Sequence, residues 1–392
     1  TDATPNLLGD YHIPSTSSAV NAGAISKSGV NAPTSDFDGN IRPSAGGYEI
    51  GADETVLSVL SIVRTSATNP TTASTVGFTV TFSSPVIGVD QFDFALATTG
   101  TISGTSIVSV GGTGATRTVT VNTGTGSGTI QLNLIDNDTI RVSATNRLGG
   151  TGVGNGNFTS GELYTLDRTP PTVLSIVRAS ANPTVASLVN FTVTFSESVT
   201  AVDGADFSLI STGTIAGASI TSVGGTGTTR TVTVNTGTGS GTLRLDLIDN
   251  DTIRDVVLNR LGGTGLGNGN FTPGPSYTID RDPPTVVSIL RTNANPTVAS
   301  VVSFTVMFSE SVIGVDKFDF SLVGDGTLAG YSITSVGGTG ATRTVTVNTG
   351  TGSGLLRLDL VDNDTIKDAT GIRLGGTGAG NGNYTGPSYN VR

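Results

Sequence analysis

Cysteine is absent from the 392 residues, and histidine occurs once, at His12. The lack of cysteine excludes disulfides and thiolate chemistry, and the single imidazole leaves few of the usual ligands for zinc or iron. No serine stands at a spacing that pairs it with His12, so the sequence gives no sign of a catalytic triad. We interpret His12 as a packing or turn residue.

Tryptophan is absent too, charged residues make up only 13%, and lysine occurs three times. The formal net charge is −10, and clustered positive charge of the kind that neutralises phosphates is missing, which argues against a nucleic-acid partner. No apolar run approaches the roughly 20 residues that span a bilayer, so we expect no direct membrane insertion. An acidic surface is compatible with binding divalent cations.

The chain contains 55 glycines and is rich in threonine, serine, valine and asparagine. This composition is typical of strands joined by turns. Apolar residues alternate with polar ones in short runs: Phe191, Val193 and Phe195 are separated by threonines. About seven such runs in about 110 residues predict an immunoglobulin-like antiparallel β-sandwich. The glycine-rich strings lie between these runs and lack the Gly-Lys-Ser/Thr of a phosphate loop, so we assign them to hairpin turns.

The chain repeats itself with a spacing of 113 residues, which links Phe82, Phe195 and Phe308 in the motifs TVTFSSPV, TVTFSESV and TVMFSESV. This spacing exceeds the 20 to 50 residues of a solenoid, so each copy should be a domain with its own core. We therefore predict three tandem sandwiches after a short β-rich N-terminal segment. The predicted divisions are residues 1–54, 55–167, 168–280 and 281–392. Paired prolines near both joints predict extended connections and hence a rod.

The motif DNDTIRD and its copies supply closely spaced carboxylates after a predicted strand. In an extended chain alternate carboxylates project to one side, and an all-oxygen set suits Ca²⁺ better than a transition metal. The first copy has Val142 where the others have a third aspartate, which weakens a uniform site. The alternative is that these side chains cap turns by accepting backbone N–H groups. The candidate calcium ligands are Asp136, Asp138, Asp249, Asp251, Asp255, Asp362, Asp364 and Asp368, with the joint residues Asp167, Asp280 and Asp282.

A second acidic pair, Asp203 and Asp206, recurs in all three copies. Paired carboxylates can hydrolyse glycosides at the right separation. Because an active site is not expected in every copy of a repeat, we interpret this pair as structural.

The unit that runs from FTVTFSESV through TRTVTVNTGTGSGTLRLDLIDNDTIRD and LGGTGLGNGNFT to YTIDRDPPTV resembles the immunoglobulin-like repeats of very large bacterial surface and secreted proteins. The resemblance covers residues 55–392 and implies an extracellular, adhesive or spacer role, with calcium at the acidic turns. Residues 1–54, with DYHIPSTSSAVNAGA and DFDGNIRPSAGGYEIGADE, resemble the C-terminal end of a right-handed parallel β-helix protein of the pectate-lyase-like kind.

We therefore expect a non-catalytic, extracellular structural or adhesive protein, a stalk or fibre segment on a bacterial surface. Its partners would be copies of itself, other surface proteins or surface glycans. Two alternatives stay open. One is a filament subunit that polymerises by β-strand addition through residues 1–54. The other is a carbohydrate-binding appendage of a secreted polysaccharide-acting enzyme, although the chain lacks the tryptophans of an aromatic platform.

Overall fold

The structure is a computed structural model that describes residues 26–27, 30–31 and 56–392, apart from residues 143, 145 and 151. Two short strands, β1 (Ser26–Lys27) and β2 (Val30–Asn31), pair antiparallel. The rest of residues 1–54 lies outside the described part. The predicted likeness of that segment to a β-helix end, and its predicted role in strand addition, therefore stay predictions.

Within the described residues, each repeat contains seven strands and one 3₁₀ turn between the second and third strands. The first repeat has β3 (Val59–Arg64), β4 (Thr75–Phe82), β5 (Phe94–Thr98), β6 (Ser106–Gly111), β7 (Thr116–Asn122), β8 (Gly128–Leu134) and β9 (Leu163–Leu166). The second has β10 (Val173–Arg178), β11 (Leu188–Phe195), β12 (Phe207–Ser211), β13 (Ser219–Gly224), β14 (Thr229–Asn235), β15 (Gly241–Leu247) and β16 (Ser276–Ile279). The third has β17 (Val286–Arg291), β18 (Val301–Phe308), β19 (Phe320–Gly324), β20 (Ser332–Gly337), β21 (Thr342–Asn348), β22 (Gly354–Leu360) and β23 (Tyr384–Val391). The 3₁₀ turns are Gln91–Asp93, Gly204–Asp206 and Lys317–Asp319.

The seven strands form the same two antiparallel sheets in every repeat. In the second repeat a four-stranded sheet has the order β10-β11-β14-β13 and a three-stranded sheet has the order β12-β15-β16. These orders match the A-B-E-D and C-F-G sheets of a constant-type immunoglobulin sandwich. The predicted fold class, all-β with tandem immunoglobulin-like sandwiches, is confirmed.

Three separate hydrophobic clusters fill the three sandwiches. The alternation in β11 puts Phe191, Val193 and Phe195 into the core, each at most 1% exposed. Tyr277 from the last strand packs edge-on against Phe191 with 5.0 Å between ring centroids, and its hydroxyl donates to the backbone oxygen of Asn190 at 2.7 Å. Such an edge-to-face pair adds roughly 0.5–1.5 kcal/mol beyond burial.

The chain divides into two compact units, one holding the first repeat up to Pro170 together with Val257–Asn259, the other holding Pro171–Val256 and Arg260–Arg392. The second and third repeats thus share a unit. The predicted domain boundaries stay a prediction. The predicted boundaries assign Arg281 to the third repeat. Its guanidinium donates to two groups of the second repeat, the Gly239 carbonyl at 2.8 Å and Thr236 Oγ1 at 2.6 Å.

Among the described residues, no helix is both long and apolar enough to cross a membrane.

Candidate metal centre

The carboxylates that directly follow the sixth strand of the second repeat are held by the backbone. Asp249 Oδ1 accepts from the N–H of Asp251 at 3.0 Å, and Oδ2 accepts from the N–H of Gly269 at 3.1 Å. Asp251 has a φ of 67°, forms an ion pair of 2.9 Å with Arg260, and accepts the N–H of Gly265. Turn capping, one of the two alternatives left open by the sequence, describes these contacts.

The same turn recurs in the other repeats. Asp136 accepts from the N–H groups of Asp138 and Gly156, both at 3.0 Å. Asp362 accepts from the N–H of Asp364 at 3.0 Å and from a glycine N–H 20 residues later at 3.1 Å. The motif GNGN, which follows each DNDT motif, thus supplies a backbone donor to the first aspartate of the turn.

The second acidic pair is structural as well. Asp203 caps the 3₁₀ turn by accepting from the N–H of Ala205 at 2.8 Å, and Asp206 returns the contact by accepting from the N–H of Asp203 at 2.8 Å. Asp206 is fully buried and accepts a further hydrogen bond from Thr252 Oγ1 at 2.9 Å. Both carboxylates of the pair are therefore committed to the capping box.

A different group of carboxylates converges where the third repeat begins. One oxygen each from Asp280, Glu310 and Asp368 lies within 4.8 Å of the other two. Two oxygens on opposite sides of one Ca²⁺, each at about 2.4 Å, are separated by about 4.8 Å, so the three side chains can contact a single ion. This cluster is the candidate metal centre.

Two of the ligands follow the ends of strands, and the third lies in a loop. Asp280 directly follows β16, Glu310 lies two residues after β18, and Asp368 lies in the long loop between β22 and β23. In this fold the loops after the second and sixth strands lie at the same end of the sandwich. The joint is anchored there as well, because the carbonyl of Pro284 accepts the N–H of Gly375 at 2.9 Å.

The three carboxylates differ in burial and in hydrogen bonding. Asp368 is 1% exposed, and its Oδ1 accepts from the backbone N–H groups of Thr370 and Ile372, both at 2.8 Å. Asp280 is half-buried and accepts the N–H of Asp282 at 3.3 Å. Asp368 is thus held in place by the backbone. Among the described residues its Oδ2 accepts only the Thr370 hydroxyl, at 3.0 Å, and so keeps lone pairs for a further ligand.

The cluster concentrates the negative charge of three carboxyl groups. Within the described part of the chain, no ion pair joins a lysine or arginine to Asp280, Glu310 or Asp368. Burial, and then the charges of Asp280, Asp368 and Asp282, raise the pKa of Glu310. A bound dication would offset this repulsion, and oxygen-only donors fit Ca²⁺.

The structure therefore separates the candidate ligands of the third repeat. It brings Asp280 and Asp368 together, places Asp282 on the exposed surface beside them, and leaves Asp362 and Asp364 in their own turn. Asp255 is buried, and Asp167 follows β9 and caps the N–H of Thr169 at 3.1 Å.

Glu310 is the ligand that sequence reasoning missed. A signal was present: Glu197 and Asp255 stand 113 residues before Glu310 and Asp368, and the first repeat has Ser84 and Val142 at those positions. The glutamate and the aspartate are therefore kept together in two copies and lost together in one, which is typical of residues that act on one ligand.

Comparison with known proteins finds no matching family model and no matching curated protein. Among solved structures, the chain is similar to invasin, a bacterial integrin-binding protein, with a TM-score of 0.29, 10% identity, and coverage of 78% of this chain and 56% of invasin. It is also similar to domains 1–6 of the surface layer protein SbsC, with a TM-score of 0.21, 16% identity, and coverage of 86% of this chain and 54% of SbsC. The chain thus spans about half the length of either structure.

Proposed function

We propose that the chain is a non-catalytic, extracellular repeat module of a bacterial surface protein, a stalk or fibre segment in which calcium stiffens the joint between the second and third sandwiches. The observation that carries this proposal is that one oxygen each of Asp280, Glu310 and Asp368 lies within 4.8 Å of the other two, with no basic partner among the described residues. Asp280 belongs to the joint and the other two to loops of the third repeat, so an ion there fastens the joint to the sandwich that follows.

The architecture supports a structural role. In each repeat buried carboxylates such as Asp206 and Asp249 cap turns, and the three repeats have the same order of strands in their sheets. A chain of similar sandwiches is suited to hold other parts of a surface protein at a distance from one another. Its partners would be further copies of itself or other surface proteins.

The extracellular location agrees with the chemistry of the joint. Three carboxylates, of which only one is fully buried, form a weaker site than the preformed loop of an intracellular calcium buffer. Calcium sites in extracellular modules typically have dissociation constants of roughly 10⁻⁴ to 10⁻³ M. We expect the joint to bind calcium in that range.

Hydrogen exchange of the whole chain, followed by mass spectrometry with calcium and with a chelator, tests the proposal. We expect calcium to slow exchange in peptides covering residues 279–284, 309–312 and 366–374. Glu310→Gln should abolish this protection, because it removes one charged ligand while keeping the size of the side chain. Glu162→Gln, a glutamate outside the cluster, should leave it unchanged. Equal exchange with and without calcium in the wild type would exclude the metal-stiffened joint.

A further inference from the structure

The first repeat contains a cavity of about 440 Å³. It lies between the loop that follows β3 and the outer face of the four-stranded sheet. Eight of its eleven lining residues carry a hydroxyl group, and none is charged. Pockets for small ligands typically have volumes of about 300–1,000 Å³, so the cavity has room for one sugar residue.

Gly77 opens this cavity. It faces Thr120 across the β4–β7 pair, and a Cβ atom at Gly77 would stand 2.6 Å from Oγ1 of Thr65. The other two repeats have Asn190 and Ser303 at this position, 113 and 226 residues later, so each places a side chain where the first repeat has none. The glycine that opens the space therefore occurs in the first repeat and is replaced in the other two.

Five of the hydroxyl groups around the cavity can donate to a ligand. Among the described residues, the Oγ1 atoms of Thr75, Thr118 and Thr120 make no hydrogen bond. The hydroxyl oxygens of Ser66 and Thr71 accept backbone N–H groups at 3.2 Å, which leaves their own hydrogens available. Each hydroxyl can both donate and accept.

The rest of the wall is fixed in place. The Tyr164 hydroxyl accepts the N–H of Ser66 and donates to the carbonyl of Gly77, both at 3.1 Å. The Thr65 hydroxyl donates to the same carbonyl at 3.1 Å. These bonds tie the loop after β3 to the sheet, so the cavity is preorganised and does not have to form on binding.

We propose that this cavity binds a neutral saccharide residue. A wall of uncharged groups that both donate and accept hydrogen bonds complements the hydroxyls of a pyranose and offers no group of opposite charge to an ionic ligand. The ring of Tyr164 is buried, so stacking on an aromatic face is not available. A ligand of this size held by hydrogen bonds alone is expected to bind in the millimolar range. This binding function is independent of the calcium joint.

Saturation-transfer NMR on the whole chain with D-glucose, D-galactose and D-mannose, at concentrations on the order of 10 mM, tests the proposal. At least one hexose should receive magnetisation from the protein. D-glucuronate should bind no better than the neutral sugars, because the wall holds no cation. Absence of transfer to all three hexoses would overturn the proposal.

Two variants locate the binding. The double substitution Thr65→Ala, Gly77→Asn installs the Ala179–Asn190 pair of the second repeat. The asparagine side chain should fill the cavity and abolish the transfer signal.

Thr118→Val removes one free hydroxyl and should weaken binding by about 2- to 10-fold. Its matched control is Thr231→Val, the same change at the equivalent position of the second repeat, which should have no effect. Transfer that is undiminished in both cavity variants, or that falls equally in Thr118→Val and Thr231→Val, would contradict the assignment. If the double variant unfolds, the comparison of the two valine variants decides.

Discussion

Thr252 Oγ1 donates a hydrogen bond of 2.9 Å to Oδ1 of Asp206, a fully buried carboxylate 46 residues earlier in the chain. The same contact joins Thr139 to Asp93 at 2.8 Å in the first repeat and Thr365 to Asp319 at 2.7 Å in the third. It connects the DNDT turn to the 3₁₀ turn that precedes the third strand. The threonine of the DNDT motif therefore has the same structural role in all three copies: it donates a hydrogen bond to a buried carboxylate.

Thr252→Val should lower the free energy of unfolding of the second repeat by about 1–3 kcal/mol, because Asp206 would keep its burial but lose a donor. Chemical denaturation measures the difference. Thr231→Val is the matched control, since Thr231 is exposed on β14 and its removal leaves no buried acceptor. Equal effects of the two substitutions would contradict the importance of the buried contact.

The stability of the second repeat should depend on pH through Asp206. Burial, opposed by hydrogen bonds from Asp203 and Thr252, raises the pKa of Asp206. A carboxyl with a raised pKa binds its proton more tightly when folded, so the folded state holds more protons and stability falls as the pH rises. This contribution is complete below the unfolded-state pKa and is lost as the pH passes through the folded-state pKa.

Asp206→Asn removes that titration. The stability difference between wild type and variant, measured by denaturation at several pH values, should therefore favour the wild type most at acidic pH. The variant also loses an acceptor for the N–H of Asp203, so its absolute stability is lower at every pH. A difference that does not change with pH would contradict the raised pKa.

Phe195→Ala should cost roughly 3–5 kcal/mol and unfold the second repeat before the others, because the ring is 1% exposed and its removal leaves a cavity. Denaturation followed by hydrogen exchange, which reports each repeat separately, measures this. Phe92→Ala is the matched control: that ring is 75% exposed on a 3₁₀ turn, and its loss should change stability by less than about 0.5 kcal/mol.

The strands were predictable because each one follows a simple rule. Phe191, Val193 and Phe195 alternate with threonines in the sequence and alternate between core and surface in the structure. Burial on one face of a sheet imposes a period of two residues, and a single sequence contains that period. The position of Tyr277 in the core follows from the same rule, although its contact with Phe191 requires the packed sheets.

The metal cluster was only partly predictable. The sequence grouped Asp362, Asp364 and Asp368 as if an extended chain continued through them. Strand β22 ends at Leu360, and Asp364 has a φ of 68°, so the alternation stops before the acidic residues begin. Glu310 lies 30 residues after Asp280 and reaches it only through the tertiary fold. A local pattern cannot show that approach.

Glu310→Gln should slightly stabilise the chain when calcium is removed. The substitution takes one negative charge out of a cluster whose members repel one another, as the raised pKa of Glu310 indicates. Because Glu310 and Asp280 are partly exposed, the gain should be below about 1 kcal/mol. Denaturation in a chelator measures it, and a loss of stability under those conditions would argue against an unbalanced cluster.

Thermal unfolding of the whole chain with calcium and with a chelator tests the proposed joint most directly. Calcium at ten times its dissociation constant should stabilise the folded state by about 1.4 kcal/mol per ion. The account predicts a higher midpoint with calcium, a smaller shift in Glu310→Gln, and an unchanged shift in Glu162→Gln. Superimposable curves for the wild type with calcium and with chelator would contradict it.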